Sequence, residues 1–123
     1  MNLFKNYLDR IKKKIIKNKN NFNLKSINDL EHIVVENPPE KFDFDLSSNA
    51  AMIIGKLTKE NPKNTADKLK KILLKEIEDF SDIDIAGPGF LNFKLSNKAW
   101  IKIIDSIYKS KKNFGSNNQK KKY

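Results

Sequence analysis

The stretch Ile83 to Leu95 constrains what this chain can fold into more than any other. Two short strands, one at Ile83 and Ile85 and one from Phe90 to Leu95, flank the turn Ala86-Gly87-Pro88-Gly89, whose glycines are free to take positive φ. Side chains two apart on a strand share a face. Leu91, Phe93 and Leu95 therefore form one purely apolar face, while Phe90, Asn92 and Lys94 form the other.

Helices to cover the apolar face are legible elsewhere. From Asn2 to about Asn18, Phe4, Leu8, Ile11 and Ile15 recur at steps of four, three and four, with lysines opposite, which predicts an amphipathic helix. Asn18 to Asn23 reads as loop. Ile33 to Glu36 is a short β-branched run stopped by Asn37-Pro38-Pro39, because a prolyl pair cannot continue a ladder. Asp45 to Ser48 offers capping oxygens ahead of Ala50, Ile53, Ile54 and Leu57, so a helix is predicted from about Leu46 or Ser47 to Lys59. Asn61-Pro62 reads as an N-cap and first helical residue, with Ala66, Leu69, Ile72, Leu73 and Ile77 as the inward stripe of a helix ending near Glu78. The last helix is predicted from Asn97 to about Tyr108, with Trp100, Ile103, Ile104 and Ile107 inward. The expected fold is α+β, a small antiparallel or mixed sheet with helices packed on one face. Residues 1–109 form the expected domain, and 110–123 a polar, Lys-rich tail that is disordered or a linker.

Composition excludes much chemistry. With 123 residues the chain is one domain; without cysteine it has no disulfide, thiolate nucleophile or cysteine-ligated zinc. The single histidine, His32, excludes sites needing two imidazoles and has no sequence-local catalytic partner. There is no phosphate-binding loop, dinucleotide fingerprint or Gly-x-Ser-x-Gly, and Asp82 and Asp84 lack the glycine-bearing loop of a metal site. No catalytic residue and no metal ligand is expected. No apolar run approaches the roughly 20 residues that span a bilayer, and Met1 to Lys19 is too Lys-rich for a signal-peptide core. A soluble cytoplasmic protein without membrane contact is the expectation.

The net charge of +10 has two readings. Sixteen Asn and fifteen Ile accompany 24 Lys, as A+T-rich coding would produce without any function. The charge also comes in alternating blocks, +7 over residues 1–25 and −5 over 26–50 for instance, which leaves room for a basic face. Arg10 is the only arginine, so forked guanidinium contacts are nearly absent and lysines would supply diffuse phosphate attraction. Base reading would fall to Asn, Asp, backbone and aromatics.

Two surfaces fit that description. On the face Phe90-Asn92-Lys94, an unpaired base can stack on the ring, exchange hydrogen bonds with the carboxamide and keep its phosphate near the ammonium. The same residues also fit a plain packing role: Phe90 under a loop, Asn92 on a solvated edge, Lys94 at the surface. Phe42-Asp43-Phe44-Asp45 with Asn49 is the second surface, and a hydrophobic staple with an Asp cap explains it equally.

Three stretches carry a resemblance to a known family. Ile85-Ala86-Gly87-Pro88-Gly89-Phe90-Leu91-Asn92-Phe93-Lys94-Leu95 is very close to the signature A-G-P-G-F-[IL]-N-x-x-L of the N-terminal additional domain of arginyl-tRNA synthetases. Asp45-Leu46-Ser47-Ser48-Asn49-Ala50-Ala51-Met52 resembles its G-D-[FY]-x-x-N-x-A-M motif, with Phe44 in place of Gly and Leu46 in place of the aromatic. Asn113 to Lys122 resembles the junction to the catalytic domain. The sequence stops before the H-I-G-H and K-M-S-K-S signatures that class I synthetases use on ATP, so this chain alone is expected to be non-catalytic and to need no cofactor.

The resemblance implies a tRNA-binding role at the D-loop and outer corner of tRNA(Arg). It implies tRNA-binding residues Phe90, Asn92, Lys94, Gly87, Gly89, Asp45 and Asn49. Its implied partners are tRNA(Arg) and the catalytic domain of a parent ATP-dependent arginine-tRNA ligase, with the chain itself a monomer. Two other readings stay open: a stand-alone RNA-binding module of the same fold, and a structural or protein-interaction domain with incidental basicity.

Overall fold

A computed structural model describes residues 2–25, 28–38 and 43–118. Met1, Pro39, Phe42 and residues 119–123 of the predicted tail lie outside the described residues.

Helix α1, Leu3–Lys17, starts where Asn2 Oδ1 accepts from the Lys5 amide at 3.0 Å. It buries Tyr7, Ile11 and Ile15, with Phe4 and Leu8 of the predicted stripe packed partly against the core. The predicted loop after it contains a 3-10 turn, Lys19–Phe22, which ends at Asn23 with φ 57° and buries Phe22. A second 3-10 turn, Asn28–His32, leaves His32 exposed.

Strand β1 is only Val35–Glu36, shorter than the β-branched run predicts. The Val34 amide is taken by Asn49 Oδ1 at 2.8 Å instead of a neighbouring strand, so the ladder starts one residue later. The largest departure from the sequence reading follows. Leu46–Ser48, predicted to open a helix, is strand β2, and helix α2 spans Ala50–Thr58. Its neighbour decides this: Leu46, Ser47 and Ser48 pair antiparallel with Phe93, Asn92 and Leu91, and the Asp45 amide donates to Phe93 O at 2.8 Å. Helix α3, Pro62–Glu76, begins as predicted, with Asn61 Oδ1 accepting from the Lys63 amide at 2.8 Å. It stops two residues earlier than predicted because Ile77 turns extended and buries its side chain.

Strands β3, Phe80–Ala86, and β4, Phe90–Leu95, form the predicted pair. The four strands lie in the order β1-β2-β4-β3 and every pairing is antiparallel. Helices α2 and α3 pack on β3 and β4, and α1 packs on α3 and β1, so the core lies between the helices and the Leu91-Phe93-Leu95 face. This is the predicted α+β arrangement.

Helix α4, Asn97–Asn118, is capped by Ser96 Oγ accepting from the Ala99 amide at 3.0 Å. It continues past Tyr108, where it was predicted to end, and crosses residue 110 without a break into the segment expected to be disordered or a linker. Once a helix exists, each added residue fixes one more hydrogen bond, and lysine disfavours that little. Among the α4 residues whose side chains are described, only Ala99 and Ile103 enter the core, with Trp100 packed against it; Ile104 and Ile107, predicted inward, are 62% and 51% exposed. Ile104, one residue past buried Ile103, lies on the outer side of the helix, and at Ile107 the domain no longer covers the inner side.

A polar clamp ties α1 to the start of β3. Buried Asp79 accepts from Tyr7 Oη at 2.7 Å and from both Arg10 terminal nitrogens, at 2.8 and 3.3 Å. The Arg10 hydrogen bonds, ahead of Tyr7's, hold the Asp79 carboxyl below its usual range, and burial pushes the Tyr7 hydroxyl above its own. Phe80 then stacks between Tyr7 and Phe93, with ring centroids 5.6 and 4.6 Å away, backing β4 from the core side.

Candidate nucleic-acid interface

Alternation along β4 places Phe90, Asn92 and Lys94 on the face turned away from the helices. Because β4 lies between β2 and β3, Asn92 is not an edge residue: its side chain is 1% exposed. Asn92 Oδ1 has no hydrogen-bond partner among the described residues. An unpaired buried amide oxygen costs about 1–3 kcal/mol, which calls for an explanation beyond packing. Phe90, at the mouth of the strand, is 37% exposed. Both line a cavity of about 530 Å³, together with Ala86 and Gly87 of the turn, Ser47 of β2, and Glu36 and Pro38.

The turn is held firmly. Gly87 and Gly89 have φ of 55° and 128°, as the Gly-Pro-Gly sequence predicts. A Cβ on Gly89 would lie 3.0 Å from Pro62 Cβ and 3.4 Å from Met52 Cγ, so the turn rests on the start of α3 and Phe90 is aimed by that contact. Gly87 borders the cavity, whereas Gly89 serves the packing behind it.

The remaining predicted site residues sit elsewhere. Lys94 shares the face, but its ammonium lies 3.5 Å from Asp43 Oδ2 and 3.4 Å from Asp43 O. Asp45 accepts from the Leu95 amide at 2.8 Å, fixing β2 to β4. Asn49 accepts from the Val34 amide and donates to His32 O at 3.2 Å, fixing β1 to the start of α2. Neither Asp45 nor Asn49 lines the cavity. Reading residue by residue missed Glu36 and Ser47, which reach the cavity only because β1 and β2 pair beside β4.

Charge around the cavity is acidic: exposed Asp82 and Asp84 on β3 pair with Lys94 and Asn92, and Glu36 lies at the other end. Lysines able to draw phosphate stand further off, such as Lys63, which follows the Pro62 that touches the turn. Among the described residues no group of three or more His, Cys, Asp or Glu is placed to hold a metal ion. A face of aromatic, carboxamide and hydroxyl around an open cavity is suited to holding a flat heterocycle with polar edges.

The sequence pattern described as "Arginyl tRNA synthetase N terminal domain" matches residues 5–95, an interval that takes in most of α1, the whole sheet and the cavity. The chain belongs to this family. Similar curated proteins include the arginine-tRNA ligase of Pelagibacter ubique, 37% identical over 122 residues, covering 99% of this chain and 21% of that protein. The arginine-tRNA ligase of Bartonella henselae is 39% identical over 119 residues, covering 94% of this chain and 20% of that one. The chain thus spans about a fifth of the length of the curated relatives it matches. No helix among its described residues is long and apolar enough to cross a membrane.

Proposed function

We propose that the chain is a non-catalytic tRNA-binding domain that reads a base of the D-loop, at the outer corner of tRNA(Arg), on the Phe90-Asn92 face. The base stacks on Phe90, and Asn92 exchanges hydrogen bonds with its edge, for which a carboxamide suits adenine. One observation carries this reading: a carboxamide 1% exposed, its oxygen unpaired, lining a cavity beside a partly exposed aromatic ring. The Gly87 turn borders the base and Lys94 stands on the same face outside the cavity, while Asp45, Asn49 and Gly89 hold the strands and turn that present it.

The domain acts as the N-terminal part of a cytoplasmic arginine-tRNA ligase whose remaining portion uses ATP and arginine. The outer side of α4 fits that reading, because Ile101, Ile104 and Tyr108, 62–67% exposed, form a stripe that the domain itself leaves uncovered and the catalytic domain would cover. The isolated chain is a monomer and should give no ATP-pyrophosphate exchange with arginine and tRNA.

The test pairs tRNA binding with thermal melting. Phe90→Ala should weaken binding by about 1–3 kcal/mol through lost stacking. Asn92→Ala should cost a similar ~1–3 kcal/mol, confined to one loop base. If both variants bind tRNA as the parent chain does while folded, the face is not the tRNA site.

A further inference from the structure

The pairing register sets one side chain from each of three strands in a single row across the helix-free face. Glu36 of β1 pairs with Ser47 of β2, and Ser47 pairs with Asn92 of β4. All three line the cavity. None makes a side-chain hydrogen bond to another described residue, although Ser47 and Asn92 are 6% and 1% exposed. Several polar side chains next to the row are engaged: Ser48 Oγ accepts from the Ala50 amide at 3.1 Å, Asp45 holds Leu95, Asn49 holds Val34 and Lys94 holds Asp43; Asp84, paired with Asn92 from the other side, is exposed and lies outside the cavity lining. The buried side-chain oxygen left without a partner among the described residues, Asn92 Oδ1, thus lies at the cavity, with the Ser47 hydroxyl and the exposed Glu36 carboxylate beside it in the row.

The three groups differ in what they can exchange. A carboxamide and a hydroxyl both donate and accept, so Asn92 and Ser47 adapt to either polarity of base edge. An ionised carboxylate only accepts. With strands about 4.8 Å apart, Glu36 stands about 10 Å from Asn92 across Ser47, a span that a base edge together with the glutamate side chain fills.

We infer that Glu36 is a specificity-determining residue of this site: its carboxylate accepts from the exocyclic amine of the bound base and rejects a base that presents a carbonyl there. Adenine is admitted and uracil or dihydrouridine excluded, because two acceptors face one another in the latter case. The inference rests on the base-reading function proposed above and adds the residue that sets which base is taken. Asp84 flanks Asn92 on the opposite side but does not line the cavity, so the same charge there lacks this role.

The test titrates the 123-residue chain, followed by nuclear magnetic resonance to capture weak affinities, with tRNA(Arg) transcripts in which each D-loop adenine is replaced in turn by uracil. The parent chain should prefer adenine at one position by about tenfold or more, as expected when one good base contact is lost. Glu36→Gln, which can donate to a carbonyl, should reduce that preference to near unity by improving binding of the uracil transcript. Glu36→Ala should erase the preference without that gain, and Asp84→Asn should leave it intact. Retained preference in Glu36→Gln overturns the role of Glu36 while leaving the site standing. Equal loss in Asp84→Asn overturns it in favour of general charge. Phe90→Ala separates the two levels, since it should weaken every transcript alike. If it weakens none, or if the parent chain binds no transcript, the base-reading site and the role of Glu36 fall together.

Discussion

Asn92 carries a cost in stability. Its oxygen is buried and unpaired, so replacing the carboxamide by an apolar side chain of similar volume removes a desolvation cost of about 1–3 kcal/mol. Asn92→Leu should therefore melt at or above the temperature of the parent chain and bind tRNA more weakly. Leu91, one residue away and fully buried, should behave oppositely: Leu91→Ala should lower stability by roughly 2–5 kcal/mol through a core cavity and leave the reading face intact. Parallel melting and binding curves for the two variants check both signs. At this scale the sequence was informative, because alternation alone separates Leu91 from Asn92. It could not tell that Asn92 lies on an interior strand, since strand order is set by partners far along the chain.

Among the elements, those with a strong local signal were legible: α1 and α3 from their periodicity and Asn caps, and the β3-β4 pair from its Gly-Pro-Gly turn. Strand β2 was not. Three residues, Leu46-Ser47-Ser48, carry no usable period, and serines before Ala50 look like a helix start; only pairing with β4 makes them a strand. On α4 the apolar residues extend round more of the helix than the core covers, so Ile104 faces outward beside buried Ile103. Two of the residues around the cavity, Glu36 and Ser47, were invisible for the same cause as β2. If Asp45 is what anchors β2, Asp45→Ala should cost about 1.5–3 kcal/mol, the usual worth of a hydrogen bond to a charged group. Amide exchange should then rise first at Leu95 and across β2; unchanged protection there would assign the anchoring to the ladder alone.

For the molecule as a whole, the Tyr7-Arg10-Asp79 clamp predicts how stability varies with pH. Asp79 titrates lower folded than unfolded, so its contribution is full above the ordinary carboxylate value of about 3.9 and is lost as the pH falls through the depressed one. Tyr7 titrates higher when folded, so its contribution is full below about 10 and is lost as the pH rises through the raised value. Thermal melting against pH should show both limbs. Asp79→Asn should flatten the acid limb, and an acid limb of unchanged steepness would assign it to other carboxylates.

The placement of all helices on one side of the sheet has a consequence for how such a domain can change over time. Glu36, Ser47, Phe90 and Asn92 lie on the side away from those helices, while Leu91, Phe93 and the clamp hold the chain together on the other. If that side is the tRNA site, a lineage can change what it binds by single replacements that leave the core residues in place. Within a library randomised at those four positions, replacements at exposed Glu36 and Phe90 should leave the melting temperature nearly constant, whereas those at buried Ser47 and Asn92 should move it.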